Sequence, residues 1–188
     1  MKKLIKDVAN IHTGLFAKPV DTGEVVYLQS KHFDENGKLL NELHPDLFAN
    51  SISEKHLLKN GDVIFAAKGT KNFAAVFEGH NLRAVASTSF FVLRISDRVL
   101  LPKYLAWFLN HPYTQAILKS NARGTAIPSI RKTVLDEMEI VIPALEKQII
   151  ILELSRLGNL ETELRNQITA LKRQLLEQTI INEINKNI

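Results

Sequence analysis

The spacing of apolar positions changes several times along the chain, and each change marks an element. Leu4, Val8 and Ile11 recur at helical spacing and the run stops at Thr13-Gly14, which predicts a short helix closed by a glycine. Val25-Val26-Tyr27-Leu28-Gln29 is β-branched and aromatic and predicts a strand, with Asn36-Gly37 marking a tight turn after it. Gly61-Asp62 introduces Val63-Ile64-Phe65-Ala66-Ala67. Lys68-Gly69-Thr70-Lys71 then separates that run from Phe73-Ala74-Ala75-Val76-Phe77, a hairpin pattern. Residues 84–95, ending Ser89-Phe90-Phe91-Val92-Leu93-Arg94-Ile95, read as a further buried strand or pair of strands. After Leu101-Pro102 the period turns helical. Tyr104, Leu105, Phe108 and Leu109 share one face, Pro112 ends the run, and a second helix spans Tyr113 to Asn121. Gly124 to Arg131 is a loop by composition, and Met138 to Ile142 is a last strand closed by Pro143.

From Leu145 onward there is no proline and a single glycine, at 158, among strong helix formers, so one long helix is predicted. Its apolar positions Leu157, Leu160, Leu164, Ile168, Leu171 and Leu175 step by 3, 4, 4, 3 and 4, a heptad seam with one stutter. At about 1.5 Å per residue the helix would extend about 60 Å, farther than the preceding domain is wide. Its leucines therefore call for a partner helix, in a dimer or on another subunit; the alternative is a helix lying back on its own domain. Gly158 would mark a kink or break. The expected class is α+β: a mixed or antiparallel-sheet domain over 1–144, followed by a long C-terminal coiled-coil helix over 145–188.

Composition narrows the chemistry. With 188 residues and 45% hydrophobic content, the chain can build one core plus an extended arm. The absence of cysteine excludes disulfides, thiolate metal sites and cysteine nucleophiles. The start, Met1-Lys2-Lys3-Leu4-Ile5-Lys6-Asp7, lacks the apolar run of a signal peptide, and no stretch approaches a membrane span. A cytoplasmic protein without a membrane partner is expected. The net charge of +4 lies wholly in front: residues 1–144 hold 18 Lys and Arg against 14 Asp and Glu, and residues 145–188 hold six of each. That excess suits phosphate contact by the domain and not by the tail.

Motifs for catalysis are missing. Lys68-Gly69-Thr70 resembles the end of a phosphate-binding loop, but position 64, where its first glycine belongs, is Ile. The six histidines never pair on one helix face as metal ligands do, and no Gly-x-Ser-x-Gly elbow occurs. There is no Pro-Pro for a DNA methyltransferase turn, and no acid followed by acid-x-Lys for a nuclease; Glu146-Lys147 has no residue between. No catalytic residue, metal or cofactor is expected of this chain.

Three segments, taken in order, resemble the specificity subunits of type I restriction-modification systems. The first is Gly61-Asp62-Val63-Ile64-Phe65 with Gly69 close behind. The second is Ser89-Phe90-Phe91-Val92-Leu93-Arg94 leading into Leu101-Pro102-Lys103-Tyr104-Leu105. The third is Gly124-Thr125-Ala126-Ile127-Pro128-Ser129-Ile130 leading to Ile140-Val141-Ile142-Pro143-Ala144-Leu145-Glu146-Lys147-Gln148, similar to that family's entry to its spacer helix. Ala144 departs from the pattern, which usually has a second proline. The resemblance covers essentially the whole chain, from Leu4-Ile5-Lys6-Asp7-Val8-Ala9 onward.

The resemblance implies a non-catalytic DNA target-recognition domain that directs methyltransferase subunits and a restriction subunit, with S-adenosylmethionine bound by the partner. Complete family members usually carry two recognition domains and two spacer helices. One of each here implies a half-subunit that pairs with itself through antiparallel helices, by way of Leu157, Leu160, Leu164, Ile168, Leu171 and Leu175, and reads a bipartite site in double-stranded DNA. The alternatives are a detached recognition piece of a fused restriction-methyltransferase enzyme, or a coiled-coil interaction protein without DNA contact. Three groups are candidates for DNA contact: Lys68, Thr70, Lys71 and Asn72 at the hairpin tip; Arg123, Thr125, Ser129, Arg131 and Lys132 around the glycine loop; and Gln29, Ser30 and Lys31 after the tyrosine strand. Lys18 is a lesser candidate. Trp107, Phe90 and Phe91 lie in apolar runs and are expected in the core.

Overall fold

The computed structural model describes residues 1–34, 37–40, 42–69, 72–79, 82–124 and 127–186, with the backbone alone of Ser51. It divides into two compact units, Met1–Gln148 and Ile149–Ile188.

The first unit is α+β. A four-stranded antiparallel sheet runs β2 (Ala9–Thr13), β7 (Phe90–Ile95), β4 (Val63–Ala66), β5 (Ala74–Val76). Two strand pairs join it: β1 (Lys2–Leu4) antiparallel with β8 (Glu139–Val141), and β3 (Val26–Leu28) parallel with β6 (Ala84–Ala86). Helix α1 (Pro102–Asn110) packs on β4 and β5, and α2 (Pro112–Ser120) packs on α1. The hairpin expected between residues 63 and 77 forms, with Val63, Ile64 and Phe65 opposite Val76, Ala75 and Ala74. The edge of β5 does not stay open: the Asn110 amide accepts from Ala74 N at 2.7 Å and donates to Ala74 O at 2.8 Å.

The opening segment differs from expectation. No helix forms over Leu4 to Ile11; β1, a 3-10 turn at Ile5–Asp7 and β2 take its place. Along β2 the burial alternates, with Ala9 and Ile11 inside and Asn10 and His12 outside. Ala9 to Thr13 is hydrogen-bonded residue for residue to Ile95 to Phe91. Three apolar residues at helical spacing fit a turn between two strands equally well, and the distant partners β7 and β8 decide the outcome. Two smaller differences follow from local chemistry. Pro112 opens α2, a first-turn position where its missing N–H costs nothing, and His111 before it is held extended (φ −61°, ψ 136°). Helix α3 (Lys132–Asp136) fills the stretch between the loop expected over 124–131 and the last strand, and is too short to show a period.

The core holds Phe65, Phe90, Ile64, Leu93, Leu105 and Leu109, all essentially without exposure. Phe33, Phe73 and Phe90 meet with ring centroids 5.4 to 6.0 Å apart. Phe90 is thus core as expected, whereas Phe91 and Trp107 are only half-buried. Beneath the sheet, Asp62 is 2% exposed and accepts both Arg94 Nε (2.8 Å) and Arg94 Nη2 (2.6 Å), while Arg94 also donates to Leu57 O. The Asp62 carboxylate raises the Arg94 pKa through this hydrogen bond. Gly61 at φ 88° allows the turn that presents Asp62.

Helix α4 (Leu145–Asn185) is continuous through Gly158, so the chain does not break there. Its root belongs to the first unit. Gln148 is fully buried, accepts from Leu101 N at 3.0 Å and donates to Val99 O (2.6 Å) and Pro143 O (2.9 Å). In the second unit the side chains of Leu157, Leu160, Leu164, Ile168, Leu171 and Leu175 are 41 to 69% exposed.

Candidate nucleic-acid interface

Strand direction gathers the candidate residues. The C-terminal ends of β2 and β4 and the N-terminal ends of β5 and β7 share one end of the sheet, because their pairings are all antiparallel. The parallel pair β3 and β6 ends there too, because β6 leads through Ser87–Ser89 directly into β7. Backbone hydrogen bonds sew these ends together: Gly14 N to Phe90 O, Leu15 N to Ala86 O, Ser87 N to Leu28 O, and Ala67 N to Ser89 O, all 2.7 to 3.0 Å.

The glycine loop is tied to the same end. Ile130 N donates to Ala67 O and Gly69 N donates to Pro128 O, at 2.8 and 2.9 Å. Arg123 and Ser129 exchange two backbone hydrogen bonds, 3.1 and 2.8 Å, which close the loop on itself. Gly124 makes the closure feasible. Its φ is 107°, and a Cβ there would come 2.7 Å from Ile127 O. The hairpin tip and the glycine loop, more than fifty residues apart in sequence, thus form one edge.

On this edge Lys68, Arg123 and Arg131 are exposed, and Ser129 is half-buried with its backbone engaged. Gln29, Ser30 and Lys31 lie at the end of β3, in a 3-10 turn (Ser30–His32) where His32 Nδ1 accepts Gln29 N at 3.3 Å. Among the described residues none of Lys31, Lys68, Arg123 and Arg131 makes an ion pair. Four cations without an ion-pair partner among the described residues stand on one rim and concentrate positive potential there. Lys18 is exposed on the segment after β2.

Not every candidate is placed alike. Thr70, Lys71 and Thr125 lie outside the described residues. Asn72 does not offer an exposed amide: it is 9% exposed, and its Nδ2 donates to Ala66 O at 2.8 Å, bracing the hairpin from inside. Lys132 is exposed but its ammonium is engaged by Asp136 four residues on, at 2.9 Å. Two apolar side chains on the rim stand out in water: Phe16, 72% exposed and absent from the sequence-based candidates, and Ile127, 66% exposed. Nothing in the spacing around Phe16 marks it, since Leu15 and Ala17 are equally apolar.

The far end of the sheet holds an open hollow of about 330 Å³ lined by Lys59, Gly61, Asp62, Arg94, Asp97 and Arg98. Its most buried acid is already spent on Arg94, and Asp97 is paired with Lys3, which lowers the Asp97 pKa. Among the described residues no cluster of His, Asp and Glu is placed to hold a metal ion, and no helix is long and apolar enough to cross a membrane.

These features define a recognition module: a cationic edge carried on a small α+β domain, with a long helix bearing exposed leucines after it. The family described as "Type I restriction modification DNA specificity domain" matches residues 1–172, and the chain belongs to it. This family is a DNA-specificity component, not a catalytic one. Among curated proteins no match is found. The fold is similar to the S subunit of a type I restriction-modification system from M. genitalium, at 21% identity and a TM-score of 0.57, covering 86% of this chain and 41% of that one. It is similar also to the HsdS subunit from Thermoanaerobacter tengcongensis, at 20% identity and 0.58, covering 92% and 39%. A third match, at 19% identity and 0.60, covering 95% and 41%, comes from a structural study of complex assembly and conformational transition of the type I R-M system. The chain therefore spans about two fifths of the length of the structures it matches.

Proposed function

We propose that this chain works as a DNA-specificity module: residues 1–144 read one half of a DNA target, and residues 145–188 pair two copies so that the pair reads a bipartite site. The observation that carries the DNA half is the single edge made by the hairpin tip and the glycine loop, where Lys68, Arg123 and Arg131 stand exposed and, among the described residues, make no ion pair. Phosphate contact by such cations fixes register on the duplex, and neighbouring polar groups then reach base edges. The pairing half is supported by Leu157, Leu160, Leu164, Ile168, Leu171 and Leu175, which are 41 to 69% exposed along the helix. In this reading the dimer assembles with methyltransferase and restriction subunits in the cytoplasm and itself performs no chemistry.

Fluorescence anisotropy with duplex DNA at several salt concentrations tests the first half. Substituting Arg131→Ala or Lys71→Ala should weaken binding and reduce the slope of log K against log salt by about 0.9 per lost phosphate contact. An unchanged slope in both variants removes these residues from the DNA surface. Light scattering on the purified chain tests the second half; a monomer at all concentrations would favour a detached recognition piece that relies on a catalytic polypeptide.

A further inference from the structure

We propose that Phe16 is a specificity-determining residue of the DNA edge: its ring packs on the C5-methyl group of a thymine in the major groove and selects that base. This rests on the DNA reading proposed above and adds to it an apolar contact beside the cations.

An exposed phenylalanine is by itself ordinary. What sets Phe16, 72% exposed, apart is how its backbone is held. Leu15 N donates to Ala86 O at 2.7 Å. The hydroxyl of Tyr27, a buried residue, donates to Leu15 O at 2.9 Å and accepts from Ala17 N at 3.3 Å. One hydroxyl thus clamps the residue on each side of Phe16. The side chains of Leu15 and Ala17 pack on the core cluster of Val25, Tyr27, Leu47 and Val85, and the ring between them points to solvent. Just before the clamp the chain passes so close to the β6–β7 connection that a Cβ on Gly14 would lie 2.0 Å from Ser87 O. Phe16 therefore cannot turn inward without breaking these bonds, and among the described residues it meets no other ring.

Its position fits a duplex. Strands β2 and β4 flank β7. At the start of β7, Gly14 N donates to Phe90 O on one side and Ala67 N donates to Ser89 O on the other. The roots of Phe16 and Lys68 are thus two strand spacings apart, about 10 Å. That is the length of about three base pairs. A phosphate held by Lys68 and a base touched by Phe16 fall within one short stretch of DNA. Lys18, two residues beyond the ring, is exposed as well.

The chemistry of the ring selects its target. A phenyl group has neither donor nor acceptor, so it cannot read the hydrogen-bonding pattern of a base edge. The apolar group that base edges present in the major groove is the thymine methyl. The other apolar use of phenylalanine is a wedge between base steps in the minor groove, whose unstacking cost is offset by bending the duplex around more protein surface. One short edge at the end of a sheet gives no such wrap, which favours the methyl contact.

The full chain and duplexes recovered from a randomised pool provide the test. The unaltered chain should recover a motif containing a thymine that Phe16→Ala no longer selects, with the rest of the motif kept. Replacing that thymine by uracil, which lacks only the methyl, should weaken binding by the unaltered chain about fourfold, as for one buried methyl. The same replacement should leave Phe16→Ala unaffected, and Phe16→Leu should keep the preference for thymine. The slope of log K against log salt should not change in Phe16→Ala, in contrast to Arg131→Ala, because no phosphate contact is lost. An equal urea midpoint for Phe16→Ala shows that the fold is intact. Recovery of the same motif at the same affinity by Phe16→Ala, or tolerance of uracil at every thymine by the unaltered chain, overturns the role of Phe16 and leaves the DNA reading standing. A loss of affinity in Phe16→Ala that is uniform across sequences, together with loss of a DNA bend, identifies a wedge and overturns the methyl contact. If the unaltered chain recovers no motif, the DNA reading falls and this role with it.

Discussion

His32 shows how a single residue couples the rim to solvent pH. Burial, followed by the adjacent Lys31, holds its pKa below the ordinary 6.5, and Asp46 opposes the shift only in part. Its neutral Nδ1 accepts the Gln29 N–H that shapes the turn carrying Ser30 and Lys31. The unfolded chain takes up a proton near pH 6.5 and the folded chain resists it, so this contribution to stability is complete above about pH 6.5. It is lost as pH falls through the lowered folded value. NMR titration should place the His32 midpoint below 6.5, with exchange protection of the Gln29 amide falling in step; a midpoint at or above 6.5 contradicts it. Asp62 makes a second case. Replacing it by Asn leaves the Arg94 guanidinium without its bidentate acceptor under the sheet and should cost about 3 kcal/mol in urea unfolding. A loss below about 1 kcal/mol would mean the pair contributes only surface-bridge energy.

At the scale of elements, Gln148 ties the root of α4 to the strand-to-helix connection at Val99–Leu101 and to Pro143. Gln148→Ala strands one buried N–H and two carbonyls and should destabilise the first unit by roughly 2–4 kcal/mol, read from the urea midpoint at unchanged slope. Unaltered stability would show that water replaces the amide freely. The role of this glutamine was legible only as the last letter of a motif; its three partners come from sequence positions that carry no pattern of their own. The same division holds elsewhere. The β4–β5 hairpin, α1 and α4 were readable because their contacts are local and their period runs several residues. The opening strands and the parallel β3–β6 pair were not, because their pairing partners lie tens of residues away and outweigh local spacing. On the rim, the three cations singled out beside the glycines, Lys68, Arg123 and Arg131, are exposed. Whether a side chain turns inward, as Asn72 does, depends on a carbonyl six residues earlier that only the closed hairpin brings near.

At the scale of the whole assembly, the proposed dimer would make its paired α4 helices a ruler between two recognition domains. Lengthening each chain by n residues within the leucine seam lengthens the overlap by n residues, or about 1.5n Å. Inserting the eleven residues 157–167 a second time keeps the apolar face but moves the domains apart by about 16 Å, close to half a DNA turn. The two domains would then meet opposite faces of the duplex, and bipartite binding should be lost for the original target and for one with five extra base pairs in its gap. Inserting the segment twice adds about 33 Å, close to one full turn of 34–36 Å, and should restore binding to a target whose gap is longer by ten base pairs. Selection of bound sequences from a randomised pool reads the gap directly. If the twice-lengthened chain still selects the original gap, the helix does not set the spacing, and the halves of the target are positioned by contacts outside α4.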